Sequence, residues 1–129
     1  MSRSFKRLLV AGGAGFIGSN FVRLLRNTRP EIDITVLDKL TYAGNLANLA
    51  EFEGSSGYTF IHGDICDRKL VDSVAARVDA IVNFAAETHV DRSLMEPLAF
   101  IDTDVRGTAV LCEAARKHSH SAFLLVSTD

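Results

Sequence analysis

The chain has 129 residues, 47% of them apolar, with 14 Lys and Arg against 16 Asp and Glu and a formal net charge of -2 at pH 7. That length suits one domain with a proper core, and the apolar share removes any need to invoke disorder. The near-neutral charge gives no electrostatic case for nucleic acid or an anionic membrane surface; no apolar run approaches a membrane span, and the N-terminus lacks a signal-peptide core.

Met1 to Lys6 is a polar lead-in, and Arg7 to Gly12 reads as a first strand, nearly all apolar as a strand covered on both faces should be. The glycine turn Gly12-Gly13-Ala14-Gly15-Phe16-Ile17-Gly18 opens a helix from Phe16 to about Asn27, with Phe21, Leu24 and Leu25 at helical spacing and Pro30 just beyond its end. Ile32 to Asp38 is a second strand. A polar loop from Leu40 to Ala50 closes in a short helix at Leu46 to Glu51, and Glu53 to Gly57 is a surface turn. Tyr58 to His62 is a third strand, left through Asp64-Ile65-Cys66-Asp67.

Asp67 can cap a helix from Arg68 to about Arg77, with Leu70, Val71 and Val74 facing inward. Asp79 to Phe84 is a fourth strand, ending in Ala85-Ala86. Pro97 suits a helix first turn, and a long helix to about His118 would carry Ile101, Val105, Thr108, Ala109 and Cys112 along one face. Gly107 inside it costs ~1 kcal/mol against alanine, which points to close packing or a nearby ligand. Ala122 to Val126 is a fifth strand.

Strands and helices alternate throughout, so the expected fold is α/β: a doubly wound, Rossmann-like parallel sheet covered on both faces, with strand order 3-2-1-4-5. Ligands in such a sheet lie beyond the carboxyl ends of the strands, at the break between strands one and four. The polar residues gather there: the glycine turn, Asp38, Asp64, Glu87 to Ser93 and Ser127 to Asp129.

The glycines fit G-x-G-x-x-G at 13, 15 and 18, and G-x-x-G-x-x-G at 12, 15 and 18. In a dinucleotide site one glycine allows the tight turn, one lets the backbone approach a pyrophosphate, and one lets helix and strand pack closely. The helix start then offers N–H groups and a favourable dipole to the phosphates. Asp38, twenty residues after Gly18, would accept hydrogen bonds from the ribose hydroxyls of NAD and repel the added phosphate of NADP. Lys39 beside it argues for NADP, but a lone loop lysine is more often simply solvated; NAD is favoured. Cys66 and Cys112 suit reduced, buried thiols in a cytoplasm, and His118 and His120 near a helix end suit solvation better than metal binding.

Several segments together resemble the extended short-chain dehydrogenase/reductases: residues 10 to 18, Leu37 to Leu46 and His62 to Asp67. With Ala85-Ala86-Glu87-Thr88-His89-Val90-Asp91-Arg92-Ser93 and Ser127-Thr128-Asp129, the resemblance narrows to the dTDP-glucose 4,6-dehydratases and covers the whole chain. Related sugar-nucleotide epimerases usually carry Ser or Ala where Asp129 stands. The resemblance implies that NAD oxidises the sugar of dTDP-glucose at C4, that water leaves across C5 and C6, and that hydride returns to C6, giving a 4-keto-6-deoxy product. It places Thr128 near O4 of the sugar and makes Asp129 the acid for the departing C6 hydroxyl, a role needing a carboxyl still protonated near neutral pH. Phe16 and Ile17 would border the pyrophosphate, Asp38, Lys39, Leu40 and Thr41 the adenosine ribose, and Asp64 and Ile65 the adenine. Phe84, Ala85, Ala86, Glu87 and Thr88 would line the nicotinamide half, Thr88 also touching substrate, and Thr103 would contact the cofactor.

Simpler roles exist for several of these. Asp64 can cap the turn after its strand, His89, Asp91 and Arg92 can form a solvated loop cluster, and Thr103 can bond its own helix backbone. Asp104 replaces a usual Asn that supports the catalytic lysine, and an ionised carboxylate there cannot donate; Ala11 replaces a usual Thr. The family continues with a Glu, a Tyr-x-x-x-Lys pair and a sugar-nucleotide domain, so the expectation is that these 129 residues are its cofactor half and turn over nothing alone. Such enzymes are typically homodimers through helices including the one from Pro97. The alternatives are another sugar-nucleotide dehydratase or 4-epimerase, or a non-catalytic dinucleotide-binding module.

Overall fold

A computed structural model describes residues 5–40, 45–85 and 105–126. Five strands form one parallel sheet in the order β3-β2-β1-β4-β5: β1 Arg7–Ala11, β2 Asp33–Asp38, β3 Tyr58–His62, β4 Ala80–Asn83 and β5 Ala122–Leu125. The expected order therefore holds. Helix α1 spans Phe16–Thr28, a 3₁₀ helix Leu46–Phe52, α2 Arg68–Ala75 and α3 Gly107–Lys117.

Alternation along β1 divides the core. Leu9 and Ala11 join Ile81, Val71, Val110 and Leu111 beneath α2 and α3, while Leu8 and Val10 join Val22, Ile34, Val36 and Leu49 on the other face. Both faces of β1 are thus closed, which is why its sequence is an unbroken apolar run. Burial of each large side chain here contributes ~1.5–3 kcal/mol.

Helix α1 meets the sheet through Gly18, Ser19 and Val22. Small residues at the contact bring the helix close, and Leu24, at an expected apolar position, is instead 58% exposed. Asp67 caps α2 by accepting from the Leu70 N–H at 3.2 Å, as its sequence position suggests, and Val71 and Val74 are buried while Leu70 packs at the margin.

Helix α3 turns a different face inward from the one expected. Gly107, Val110, Leu111, Ala114 and Ala115 are buried, whereas Val105, Ala109 and Cys112 are exposed. Ile101 lies outside the described residues. The segment carries two apolar stripes, and the one turned inward includes Gly107, which lets the helix close on Ile65. At β5 the covering thins: Leu124 and Leu125 are about half exposed on the edge strand.

Candidate dinucleotide-binding site

The chain leaves β1 through Gly12, whose φ of 76 lies in the left-handed region and whose N–H donates to Leu37 O at 2.8 Å. A Cβ on Gly12 would sit 2.5 Å from Ala85 N and 2.7 Å from Phe84 C, so the first turn and the exit of β4 are stacked backbone on backbone. At Gly18 a Cβ would fall 2.3 Å from Gly12 O. Only glycine allows the helix to start this near the strand end. Gly13 is also tight, with a Cβ there 2.8 Å from Val36 Cγ1.

Gly15 is the N-cap of α1, extended at φ -76 and ψ 176, and gives no side-chain cap; the first helical turn holds no acidic residue. The opening N–H groups of Phe16, Ile17 and Gly18 have neither a capping side chain nor a carboxylate to offset the helix dipole, the condition an anion site requires. Phe16 and Ile17 stand 80% and 56% exposed at this end, flanking the turn rather than filling a core.

Asp38, the last residue of β2, is 9% exposed. Its Oδ2 accepts the Ala14 N–H at 2.9 Å and its Oδ1 the Leu40 N–H at 2.7 Å. An ionised carboxylate offers about four acceptor positions, so these two bonds leave it acceptor capacity. Leu40 takes φ 58, an uncommon conformation for a branched side chain, directly after Lys39. His62 Nε2 lies 3.0 Å from Lys39 O and fixes that backbone.

Lys39 is not simply solvated. Its ammonium lies 3.4 Å from Asp64 Oδ2, and Asp64 Oδ1 accepts the Cys66 N–H at 2.9 Å. Asp64 therefore does cap its own turn, as the simpler reading has it, and also holds the lysine. Partial burial pushes its carboxyl up, but the Cys66 N–H and the Lys39 ammonium outweigh this and keep it below the ordinary range. Ile65 is 4% exposed and packed in the core, with its side chain against the gap left by Gly107, so that glycine serves close packing.

Phe84 and Ala85, both half-buried, reach the break between β1 and β4, and the Phe84 ring lies 5.2 Å from that of Phe21. Thr41, Ala86, Glu87, Thr88, Thr103, Thr128 and Asp129, expected around ribose, nicotinamide and sugar, lie outside the described residues, as do His89, Asp91, Arg92 and Asp104.

Two contributors were not singled out from sequence. Asn83 is 1% exposed at the end of β4; its Oδ1 accepts the Ala85 N–H at 2.8 Å while its Nδ2 has no partner among the described residues. The signal was one amide in an otherwise apolar strand. Asn48 Nδ2 and Asn45 N both donate to Ala14 O, at 2.9 and 3.1 Å, pinning the glycine turn from the 3₁₀ helix.

Two expectations away from the site change. His118 Nε2 lies 2.9 Å from Asp72 Oδ1 and His120 Nε2 2.8 Å from Ala75 O, so both histidines have partners on α2 rather than only solvent. Neither cysteine is in a disulfide, but Cys112 is exposed and Cys66 only partly buried, because the face of α3 carrying Cys112 points outward.

The family model for GDP-mannose 4,6 dehydratase matches residues 9–129. The chain belongs to that family. It is 56% identical over 127 residues to a dTDP-glucose 4,6-dehydratase of Streptomyces niveus, covering 95% of this chain and 38% of the relative. Among solved structures in this family, it is similar to DesIV, a dTDP-glucose 4,6-dehydratase from Streptomyces venezuelae crystallised as a double mutant with NAD and DAU (TM-score 0.88, 49% identity, 95% of this chain and 39% of that one). A UDP-Glc/GlcNAc 4-epimerase from Campylobacter jejuni is also similar (TM-score 0.82, 30% identity, 93% and 36%). The chain thus spans well under half the length of these relatives.

Proposed function

We propose that this chain is the NAD-binding part of a dTDP-glucose 4,6-dehydratase, supplying the cofactor site and part of the active site for formation of a 4-keto-6-deoxy sugar nucleotide. The observation that carries the reading is the Asp38 carboxylate: fixed by Ala14 and Leu40, with acceptor positions to spare, beside an uncapped helix start. Those groups suit a ribose and a pyrophosphate. The relatives from Streptomyces, one of them crystallised with NAD, support the same cofactor and reaction.

NAD, when bound in this site, would supply the hydride-transfer chemistry. The remaining work falls to this chain's own groups. Asp38 with Lys39, Leu40 and Thr41 orients the adenosine ribose, Asp64 and Ile65 the adenine, and the N–H groups of Phe16, Ile17 and Gly18 the phosphates. Phe84 to Thr88 and Thr103 border the nicotinamide half. Thr128 bonds the sugar near O4, and Asp129 gives its proton to the departing C6 hydroxyl. The outward face of α3, with Val105, Ala109 and Cys112, supports pairing of two copies, and two thiols outside any disulfide support a reducing compartment such as the cytoplasm.

Titration of NAD into the purified chain tests the cofactor site, and dTDP-glucose turnover by the full-length protein tests the reaction. Binding without turnover by the 129-residue chain is the expected pair of results. A full-length enzyme that prefers UDP-glucose or GDP-mannose would overturn the sugar assignment. The likeness to the Campylobacter epimerase makes 4-epimerisation the second reading, which recovery of a C4 epimer without dehydration would favour.

A further inference from the structure

The only cation that the described residues place beside Asp38 is already engaged. Lys39 follows the ribose-facing carboxylate directly, where a free ammonium would attract a phosphate on the ribose 2′ oxygen. Two contacts and one backbone conformation oppose that. His62 Nε2 at 3.0 Å from Lys39 O and the left-handed Leu40 fix the backbone on either side, and Asp64 Oδ2 draws the ammonium to 3.4 Å. Asp64 is in turn anchored, its other oxygen accepting the Cys66 N–H at 2.9 Å.

Charge at this end sums accordingly. Among the described residues, Asp38 and Asp64 contribute two negative charges against the Lys39 ammonium, with His62 and the Cys66 thiol the further titratable groups in contact. Among the described residues, an incoming 2′-phosphate therefore meets a net negative charge, and the Lys39 ammonium is drawn to a fixed carboxylate. A 2′-hydroxyl carries no charge and can donate to the Asp38 carboxylate.

We propose that Asp64, by restraining the Lys39 ammonium, is a specificity-determining residue that keeps this site selective for a dinucleotide lacking the 2′-phosphate. The proposal rests on the reading of a dinucleotide site and adds to Asp38 a second determinant acting through a lysine. Asp64→Asn keeps the Cys66 N–H bond and the size of the side chain while releasing Lys39.

The test is the ratio of NADP to NAD affinity, measured by calorimetric titration of both cofactors into the full-length protein. Asp64→Asn moves that ratio towards NADP by about three- to tenfold, the scale of a partly exposed ion pair, and the gain shrinks in high salt. Adding Lys39→Gln to Asp64→Asn returns the ratio to the wild-type value. A merely structural effect of Asp64 would weaken both cofactors together and leave the ratio unmoved. An unmoved ratio with NAD binding intact overturns the proposal alone, as does a gain that survives Lys39→Gln. A wild-type protein that binds neither cofactor overturns the dinucleotide reading and the proposal with it.

Discussion

Asp38 Oδ2 and the Ala14 N–H, 24 residues apart in sequence, meet at 2.9 Å and tie the end of β2 to the glycine turn. The same carboxylate thus serves as a brace for the turn and as the candidate ribose acceptor. Asp38→Ala should weaken NAD binding by ~1–3 kcal/mol through the unpaired hydroxyls and cost a further ~1–2 kcal/mol of stability through the orphaned Ala14 N–H. Calorimetry for binding and urea unfolding for stability separate the two losses. A variant with full stability and full affinity would remove Asp38 from both roles.

Gly12 bears on the same turn from the β4 side. Alanine there would have to adopt φ 76 and place a Cβ 2.5 Å from Ala85 N, a backbone atom that cannot swing aside. Left-handed strain and the clash add, so Gly12→Ala should lose ~2–4 kcal/mol in a urea melt. Gly54, with φ 79 but nothing near its Cβ position, gives the control: Gly54→Ala carries the strain without the clash and should lose roughly half as much.

These sites show what a linear sequence carries well. The glycine turn, Asp38 and the five apolar strands are local patterns, each read from neighbours in the chain, and strand order follows from their alternation with helices. The inward face of α3 was not local. Val105, Ala109 and Cys112 are as apolar as Val110, Leu111 and Ala114, and the choice between the stripes is made by how near the helix can come to Ile65 and β4. The ion pair of Lys39 with Asp64 and the contact of His118 with Asp72 join residues that share no pattern; only the closed sheet and packed helices bring them together. Asn83 was legible as an oddity, one amide in an apolar strand, without its hydrogen bond to Ala85 being evident.

Gly107 allows that packing argument to be measured. A Cβ there would lie 2.2 Å from Ile65 Cδ1 and 2.5 Å from its Cγ1. Gly107→Ala gains helix propensity of up to ~1 kcal/mol but overpacks the contact by ~1–3 kcal/mol, so a net loss is expected. Ile65→Val removes the Cδ1 and alone costs ~0.5–1.5 kcal/mol. The double variant should be more stable than the two losses added, by ~1 kcal/mol, in a four-variant unfolding cycle. Strict additivity would show that the two residues do not constrain each other.

At the opposite end of the sheet, Asp79 ties β4 to the start of β1. Its Oδ2 accepts the Lys6 and Arg7 N–H groups at 3.1 and 3.0 Å, and its Oδ1 the Arg7 guanidinium at 2.8 Å. The Arg7 hydrogen bond above all, helped by the two backbone N–H groups and working against partial burial, lowers the carboxyl from 3.8 to about 2. A carboxyl depressed in the folded state adds stability that is fully present above its unfolded value and is lost as pH falls through the folded one. The window is therefore from about pH 4 down to about pH 2. Discounted for solvent screening of a partly exposed pair, the contribution at neutral pH is ~1 kcal/mol. Asp79→Asn should lose that amount at pH 7 in urea unfolding, and the gap to wild type should close between pH 4 and pH 2. A gap that stayed constant over that range would mean the loss comes from shape and neutral hydrogen bonding, with no part played by the charge.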